Sequence, residues 1–190
     1  MSRKLLVILC GLVCVAAAAD SPKYDYRLLA TTKTSTMEKE MNEASDAGYV
    51  FAGVMGGETA LGGNEVVVVM LRNLSAQAPV RKKYKLLATS KTSTMQKEMQ
   101  QAADEGYEYR GQTVFPSSFG GREVAVIMER DSDAPPVRRA FRLLATSKTS
   151  TMQKELLEAG EAGFRLLGLT VSQTAFRGSE IVCILGKEPE

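Results

Sequence analysis

A ten-residue segment, L-L-A-T-[ST]-K-T-S-T-M, occurs three times in the chain, and this repetition constrains the fold more than any other feature. The copies begin at Leu28, Leu86 and Leu143, about 57 residues apart. Each copy continues without a gap into a helix-like stretch, a glycine–aromatic pair and apolar strands. Such a period indicates that one supersecondary unit has been triplicated. We therefore assign repeat 1 to residues 24–73, repeat 2 to residues 82–131 and repeat 3 to residues 139–188.

The order of patterns within each repeat predicts a strand, a helix and a hairpin. The first strand is short, apolar and led by an aromatic residue, as in Tyr26–Thr31. The helix carries an apolar stripe at Met37, Met41 and Ala44, and Gly48 supplies the left-handed ending. The chain is therefore predicted to be α+β, with three tandem βαββ repeats. Each repeat should form a three-stranded, mainly antiparallel sheet of order 1-3-2, with its helix on one face.

A capping box is predicted at the start of each helix. In this motif a serine hydroxyl accepts from a backbone amide three residues on, and the Glu or Gln at that position reaches back. The pairs are Ser35 with Glu38, Ser93 with Gln96, and Ser150 with Gln153. The helices should then begin at Thr36, Thr94 and Thr151 and span about twelve residues.

The third strand of each repeat is apolar at nearly every position, so both of its faces should be covered. One helix with a narrow stripe covers one face of a sheet. We therefore expect the three sheets to bury their open faces against each other with pseudo-threefold symmetry, or else in an oligomer. A glycine recurs inside the second strand, at Gly53, Gly111 and Gly168, and predicts a bulge or a close approach by a bulky group.

Residues 1–19 have the pattern of a secretory signal peptide. Arg3 and Lys4 precede an apolar run from Leu5 to Val15, and small residues lead to a cleavage site before Asp20. The apolar run is shorter than the roughly 20 residues that a bilayer span needs. We expect a secreted or periplasmic mature protein that is not embedded in a membrane.

Removal of the signal changes the composition in two ways. Cys10 and Cys14 are lost, so Cys183 is the one remaining cysteine and no internal disulfide can form. Arg3 and Lys4 are lost as well, which takes the formal charge from +2 to about zero. A neutral chain has no basic field to attract phosphates, so we expect no nucleic acid partner.

The composition also argues against catalysis. Histidine is absent from all 190 residues, which removes the commonest general base near neutral pH and the imidazole metal ligand. Cys183 occupies the strand position of Val68 and Val126, which favours a buried apolar role over a nucleophilic one. We therefore expect no catalytic residue, no metal and no cofactor.

The loop before each helix is the first candidate site. A helix N-terminus presents unpaired amides and a partial positive charge, and a lysine with three hydroxyls beside it suits an anion or small polar ligand. The alternative is capping, which explains the serine and the Glu or Gln three residues on. Capping does not explain why the lysine and the two threonines are identical in every copy, although recent duplication of the repeat would also produce that identity. The candidate ligand-binding residues are Lys33, Thr34, Ser35, Thr36, Lys91, Thr92, Ser93, Thr94, Lys148, Thr149, Ser150 and Thr151.

The hairpin tips are the second candidate site. Each places one large apolar residue beside glycine, at Leu61, Phe119 and Phe176. Three exposed apolar residues on one chain would form a multivalent surface for a protein partner. The alternative is that each tip folds back on the helix of its own repeat. If the tips bind a partner, we expect a cell-envelope or extracellular protein.

Each repeat resembles the small βαββ domains of domain-of-unknown-function family 4177. The likeness rests on an opening tyrosine, a glycine–aromatic pair such as Gly48-Tyr49, and a last strand that closes on Arg72, Arg130 or Lys187. The chain departs from that family in having Tyr or Phe where Trp is favoured, and in its K-T-S-T-M segments. The resemblance implies a fold and no activity, because the family has no established one.

The sequence thus favours an exported, non-enzymatic binding or structural module. The alternative is a small-ligand or anion binder that uses the K-T-S-T-M helix starts. An enzyme of a type without recognisable motifs comes third.

Overall fold

The computed structural model describes residues 21–58, 64–76, 81–116, 122–174 and 178–188, and its elements follow the βαββ order three times. Repeat 1 contains β1 (Tyr24–Thr31), α1 (Thr34–Asp46), β2 (Val50–Glu58) and β3 (Asn64–Asn73). Repeat 2 contains β4 (Lys82–Thr89), α2 (Thr92–Asp104), β5 (Glu108–Pro116) and β6 (Arg122–Asp131). Repeat 3 contains β7 (Ala140–Thr146), α3 (Thr149–Glu161), β8 (Arg165–Thr174) and β9 (Gly178–Lys187). The predicted α+β class is confirmed.

Each repeat forms one antiparallel sheet with its last strand in the centre. The strand orders are β1-β3-β2, β4-β6-β5 and β7-β9-β8, as the sequence predicted. The predicted bulges are also present, because the register of the second strand shifts immediately before Gly53, Gly111 and Gly168. A bulge bends the strand and increases its twist, so all three sheets are shaped alike.

The helix endings follow the glycine prediction. Gly48 has a φ of 85°, and its amide donates to the carbonyl of Ser45 at 2.8 Å. The next amide, of Tyr49, donates to the carbonyl of Ala44 at 3.1 Å, which completes a Schellman motif. Gly106 and Gly163 end the other two helices in the same way.

The predicted capping box is wrong. Helix α1 begins at Thr34, two residues earlier than expected, and its N-cap residue, Lys33, makes no side-chain capping hydrogen bond. Helices α2 and α3 begin in the same way. The side chain of Glu38 does not reach back because it binds the backbone amide of Leu86 in the next repeat. The Glu38 side chain thus makes a contact between repeats instead of the local hydrogen bond of a capping box.

The repeats stack so that each inner helix lies between two sheets. Met37 and Met41 of α1 pack against Val66 and Val68 of their own sheet. The reverse face of the second sheet closes the same core through Tyr84, Leu86, Ala125 and Ile127. Helix α2 is enclosed in the same manner by its own sheet and by Phe141, Val182 and Ile184 of repeat 3. The central strands β6 and β9 are apolar on both faces because helices of two repeats cover them.

The expected pseudo-threefold packing is wrong. Repeat 1 packs on repeat 2 and repeat 2 on repeat 3, through the same pairs of elements, whereas repeats 1 and 3 form no common core in the described part of the chain. The reason is that a helix covers two sheets here, one with its methionine stripe and one with a polar row. A linear stack results, with a free face at each end. None of the helices in the described ranges is long and apolar enough to cross a bilayer.

The glycines in the second strands give a test of this stacking. A Cβ atom at Gly168 would collide with the ring of Tyr109 from repeat 2, whereas a Cβ at Gly53 would meet no atom within 4 Å. We expect Gly168→Ala to lower the free energy of unfolding by about 1–3 kcal/mol because the partly buried Tyr109 side chain must move. Gly53→Ala should change it by less than about 0.5 kcal/mol. Urea denaturation measures both, and equal losses would contradict the stack.

Candidate functional site

Neighbouring repeats are joined by side chains of a helix that pair with the free backbone edge of a strand. In the first joint, the Asn42 side chain donates from Nδ2 to the carbonyl of Tyr84 and accepts from its amide at Oδ1, both at 3.0 Å. Ser45 does the same for Lys82, accepting from its amide and donating to its carbonyl at 2.8 Å each. The helix thereby replaces a neighbouring strand.

A third member completes this row. Glu38 accepts from the amide of Leu86 at 2.9 Å through Oε2. The three strand residues that receive these bonds alternate along β4, so they are the ones whose backbone groups point away from the sheet. Buried backbone groups need partners, and the helix supplies them for both groups of Lys82 and Tyr84 and for the amide of Leu86.

The second joint repeats this chemistry with glutamines. Gln96 donates to the carbonyl of Phe141 at 2.8 Å and accepts from the amide of Leu143 at 2.6 Å. Gln100 accepts from the amide of Phe141 at 3.2 Å and donates to the carbonyl of Arg139 at 3.1 Å. The same two positions of the helix therefore bridge to the same edge in both joints.

Apolar side chains of one second strand seat on the bulge glycine of the next. A Cβ at Gly111 would lie 3.1 Å from Cζ of Phe51 and 3.2 Å from Cγ1 of Val54. Gly168 faces Tyr109 in the corresponding way. The predicted close approach is confirmed for Gly111 and Gly168. At each of them, the missing side chain leaves a shallow space, here called the socket, into which side chains of the preceding repeat pack.

The first joint also contains a buried charge. Glu129 lies 3.7 Å from the Lys82 ammonium and 3.6 Å from the Arg110 guanidinium. The hydroxyl oxygen of Tyr84 accepts from the amide of Phe51 at 2.9 Å. Burial and the nearby Glu129 carboxylate raise the pKa of Tyr84, so the phenol stays protonated and neutral.

At the start of the stack, no repeat of the described chain covers the equivalent strand edge and bulge glycine of repeat 1. We define the N-terminal face as Tyr24, Tyr26, Leu28, Gly53 and Met55. Its four large side chains are all exposed, and the space around Gly53 is open to 4 Å. Among the residues that the structure describes, β1 is an edge strand that pairs only with β3, and no helix covers its outer backbone groups.

At the other end, helix α3 and strand β8 cover no further repeat within the described ranges. We define the C-terminal face as Gln153, Leu157, Leu166, Leu169 and Val171, all of them exposed. Eight of the ten large apolar side chains exposed in the described part of the chain belong to these two faces. The other two, Leu74 and Val137, lie on the connectors. An exposed apolar surface concentrated in this way marks a contact site.

The predicted ligand-binding loops lie at the starts of the three helices. Each K-T-S-T segment forms the start of its own helix, and Lys33, Lys91 and Lys148 are exposed N-cap residues. A cavity of about 10 Å³ adjoins Lys91 and Thr92, with room for about one water molecule. The ligand-binding role of these residues stays a prediction.

The threonine that ends each first strand does have a visible role. The Oγ1 atoms of Thr31, Thr89 and Thr146 accept from the backbone amides of Lys33, Lys91 and Lys148 at 3.1–3.2 Å. These turns position the lysine at the helix start. Leu61, Phe119 and Phe176, the predicted partner-binding residues of the hairpin tips, lie outside the described residues, and their role also stays a prediction.

The glycine–aromatic pair and the closing basic residue meet in each repeat. The ring of Tyr49 lies 4.7 Å from the Arg27 guanidinium and 4.8 Å from that of Arg72. Its hydroxyl donates to Asp25 at 2.5 Å, which lowers the pKa of that carboxyl group, and Arg72 lowers it further. Tyr107 and Phe164 also stack with basic side chains. These residues close the end of each repeat.

A cleft of about 460 Å³ lies where repeat 2 meets repeat 3. Two of the residues that line it, Gly186 and Phe141, stand at the positions of Glu129 and Tyr84 in repeat 2. Arg139 at its rim is paired with Glu108 at 2.8 Å and with a second carboxylate, Glu188. This pairing offsets the positive charge that an anionic ligand would need.

Reactive groups are scarce in the described part of the chain. No three His, Cys, Asp or Glu side chains there are grouped so that they could hold a metal ion. Cys183 is buried beneath α3, and burial raises the pKa of its thiol, which disfavours the nucleophilic thiolate. No protein-family model matches the chain, and neither a curated protein nor a solved structure is similar to it. The likeness to family 4177 stays a prediction.

The polar row was missed in the sequence, although a signal for it exists. Glu38, Asn42 and Ser45 repeat the spacing of the methionine stripe, one residue further along. A second row of this spacing forms a second helix face, and amide or hydroxyl side chains can both donate and accept. That pattern is distinguishable from a solvated face of Lys and Glu.

The joint can be tested by exchanging one side chain of the row. Asn42→Leu would leave the amide and carbonyl of the buried Tyr84 without partners, so we expect unfolding to become easier by about 1–3 kcal/mol. The matched control is Leu157→Ala at the same helix position of repeat 3, where the side chain is exposed. It should change stability by less than about 0.5 kcal/mol. Chemical denaturation that shows no difference between the variants would refute the role of Asn42.

Proposed function

We propose that the protein is an exported, non-enzymatic binding or structural module that acts through protein contacts at the two ends of its repeat stack. The observation that carries the proposal is the concentration of exposed apolar side chains on the N-terminal and C-terminal faces. Export rests on the signal-like residues 1–19.

The chemistry of the faces favours a protein partner over a small ligand. The outer edge of β1 offers a row of backbone donors and acceptors beside Tyr26 and Leu28. An unprotected edge of this kind binds another polypeptide, because only a polypeptide presents polar groups at a matching spacing. The large side chains of the faces are also exposed to solvent, whereas the walls of a small-molecule pocket enclose most of their ligand.

The absence of histidine and the burial of Cys183 support a non-enzymatic role. Two of the carboxylates, the buried Glu129 and the partly buried Asp25, are engaged in structural ion pairs. A binding or structural role requires only the two faces and a stable stack.

Photo-crosslinking tests the proposed function. A photoreactive residue would replace Leu28 on the N-terminal face or Leu169 on the C-terminal face, in the protein exported by the cells that make it. Both positions should give covalent adducts with protein. The matched control is Leu74, which is also exposed but lies on a connector, and it should give none. If neither face gives an adduct, the proposal fails.

A second candidate is a small-ligand or anion binder that uses the K-T-S-T-M helix starts. It is favoured by the three helix N-termini that carry an exposed lysine and no side-chain cap. Such termini attract anions through their free amides.

Titration with inorganic phosphate, followed by amide NMR shifts, separates this candidate from the first. Saturable shifts at Thr34, Thr92 and Thr149 that vanish when Lys33, Lys91 and Lys148 are changed to Ala would support it. If the shifts are linear in phosphate or unchanged in the triple variant, the candidate is rejected.

A further inference from the structure

We propose that the partner of each end face is a second copy of this chain, so that the C-terminal face of one molecule docks on the N-terminal face of the next. The proposal rests on the proposed function, which makes these faces contact sites. It adds the identity of the partner. The chain already contains this interface twice, at the joints between its own repeats.

The N-terminal face is the receiving half of a repeat joint. Tyr26 and Leu28 hold the positions of Tyr84 and Leu86 in repeat 2. The inner pair is 2% and 8% exposed under helix α1, whereas the outer pair is 62% and 68% exposed. Repeat 1 thus carries the same residue types that helix α1 buries in repeat 2, but in repeat 1 no helix of the described chain covers them.

The C-terminal face is the covering half of the same joint. Gln153 of α3 holds the position of Gln96, which in the second joint donates to one strand carbonyl and accepts from the next outward amide. Docked in the same way, Gln153 would donate to the carbonyl of Tyr26 and accept from the amide of Leu28 in another copy. The side chain needed for this pairing is exposed.

The sockets match as well. Leu166 and Leu169 hold the positions of Phe51 and Val54, which seat on Gly111 in the first joint. Gly53 is the equivalent glycine of repeat 1, and it has no atom within 4 Å of the place where a Cβ would be. The two exposed leucines of one copy therefore fit the empty socket of another.

The composition of repeat 3 is opposite to that of a capping repeat. Terminal repeats of stacked proteins stay soluble by presenting a polar outer face. Here the change is in the other direction, because Leu157 stands where α2 has Gln100, and Leu169 stands where β5 has Gln112. Leucines in place of glutamines on the outer face of the last repeat indicate a surface that another molecule covers.

The joint between copies should be weaker than those within the chain. Leu157 cannot reproduce the two hydrogen bonds that Gln100 makes with the edge of β7. Asp25 and Glu161 would also stand where Lys83 and Asp46 form an ion pair at 3.7 Å in the first joint. Such exposed pairs contribute little, and Arg72 already compensates Asp25, so the apolar contacts decide. We therefore expect a reversible association.

The geometry of the contact is head to tail. The two faces differ, so docking one copy leaves one free face at each end of the complex. A contact of this type continues into an open chain of molecules or closes into a ring. The predicted product is a series of oligomers rather than a dimer that stops at two copies.

Sedimentation velocity of the exported form, over a wide range of concentration, provides the test. The unmodified chain should show species larger than a dimer. Leu28→Asp blocks the N-terminal face and Leu169→Asp blocks the C-terminal face, and each variant alone should be monomeric. Because each variant keeps one intact face, a mixture of the two should form a one-to-one dimer and nothing larger. Leu74→Asp is the matched control and should assemble as the unmodified chain does.

A further variant guards against effects on folding. Gly53→Phe fills the socket, and the open space around Gly53 allows a large side chain in the monomer. It should abolish assembly without lowering the thermal unfolding midpoint at a concentration where the unmodified chain is monomeric. Assembly that persists in this variant would count against the proposed docking.

The outcomes separate this inference from the proposed function. A chain that stays monomeric at every concentration, or a variant mixture that forms no dimer, overturns the head-to-tail contact. If the photo-crosslinks at Leu28 and Leu169 then carry a different protein, the proposed function stands and only the identity of the partner was wrong. If those positions give no adduct either, both proposals fail. Adducts of twice the mass of the chain, together with the mixed dimer, support both.

Discussion

The structure depends on one interaction, the pairing of helix side chains with the backbone edge of the next repeat's first strand. A three-stranded sheet of order 1-3-2 leaves its first strand with a row of unpaired amides and carbonyls. Asn42 satisfies both groups of Tyr84, and Gln96 and Gln100 do the same work one repeat later. Because burying that edge without partners would be costly, these side chains allow the helix to lie between two sheets.

This arrangement makes each repeat incomplete by itself. A single repeat has too little core to be very stable alone, and its sheet is covered on one face only. Stacking completes the core, as the shared cluster of Met41, Val68 and Ile127 shows. At the two ends of the stack this completion is missing. In the described part of the chain, repeat 1 has a sheet without a preceding helix, and repeat 3 has a helix without a following sheet. The contact sites proposed for the protein are the surfaces that these two end repeats leave uncovered.

The candidate sites were predictable to different degrees. The threefold K-T-S-T-M segment indicated a site at the helix starts. The residues that are identical in the three copies, however, also form a strand end, a threonine turn and a buried methionine, which have structural roles. The end faces were not predictable from any motif, because Tyr26 and Tyr84 are the same residue type in the same local sequence. Whether such a tyrosine is exposed or buried depends on the neighbour that stands over it.

The sequence by itself determined the repeat, its elements, the strand order, the bulges and the glycine helix endings, because these follow from local periodicity and from backbone conformations that glycine permits. Only the tertiary structure decided where the helices start, how the repeats pack and which apolar residues stay exposed. Glu38 illustrates the difference, since its spacing from Ser35 predicts a cap, while a backbone amide 48 residues away binds it instead. Contacts between residues distant in sequence compete with local contacts, and the local spacing of residues does not show which of the two is stronger.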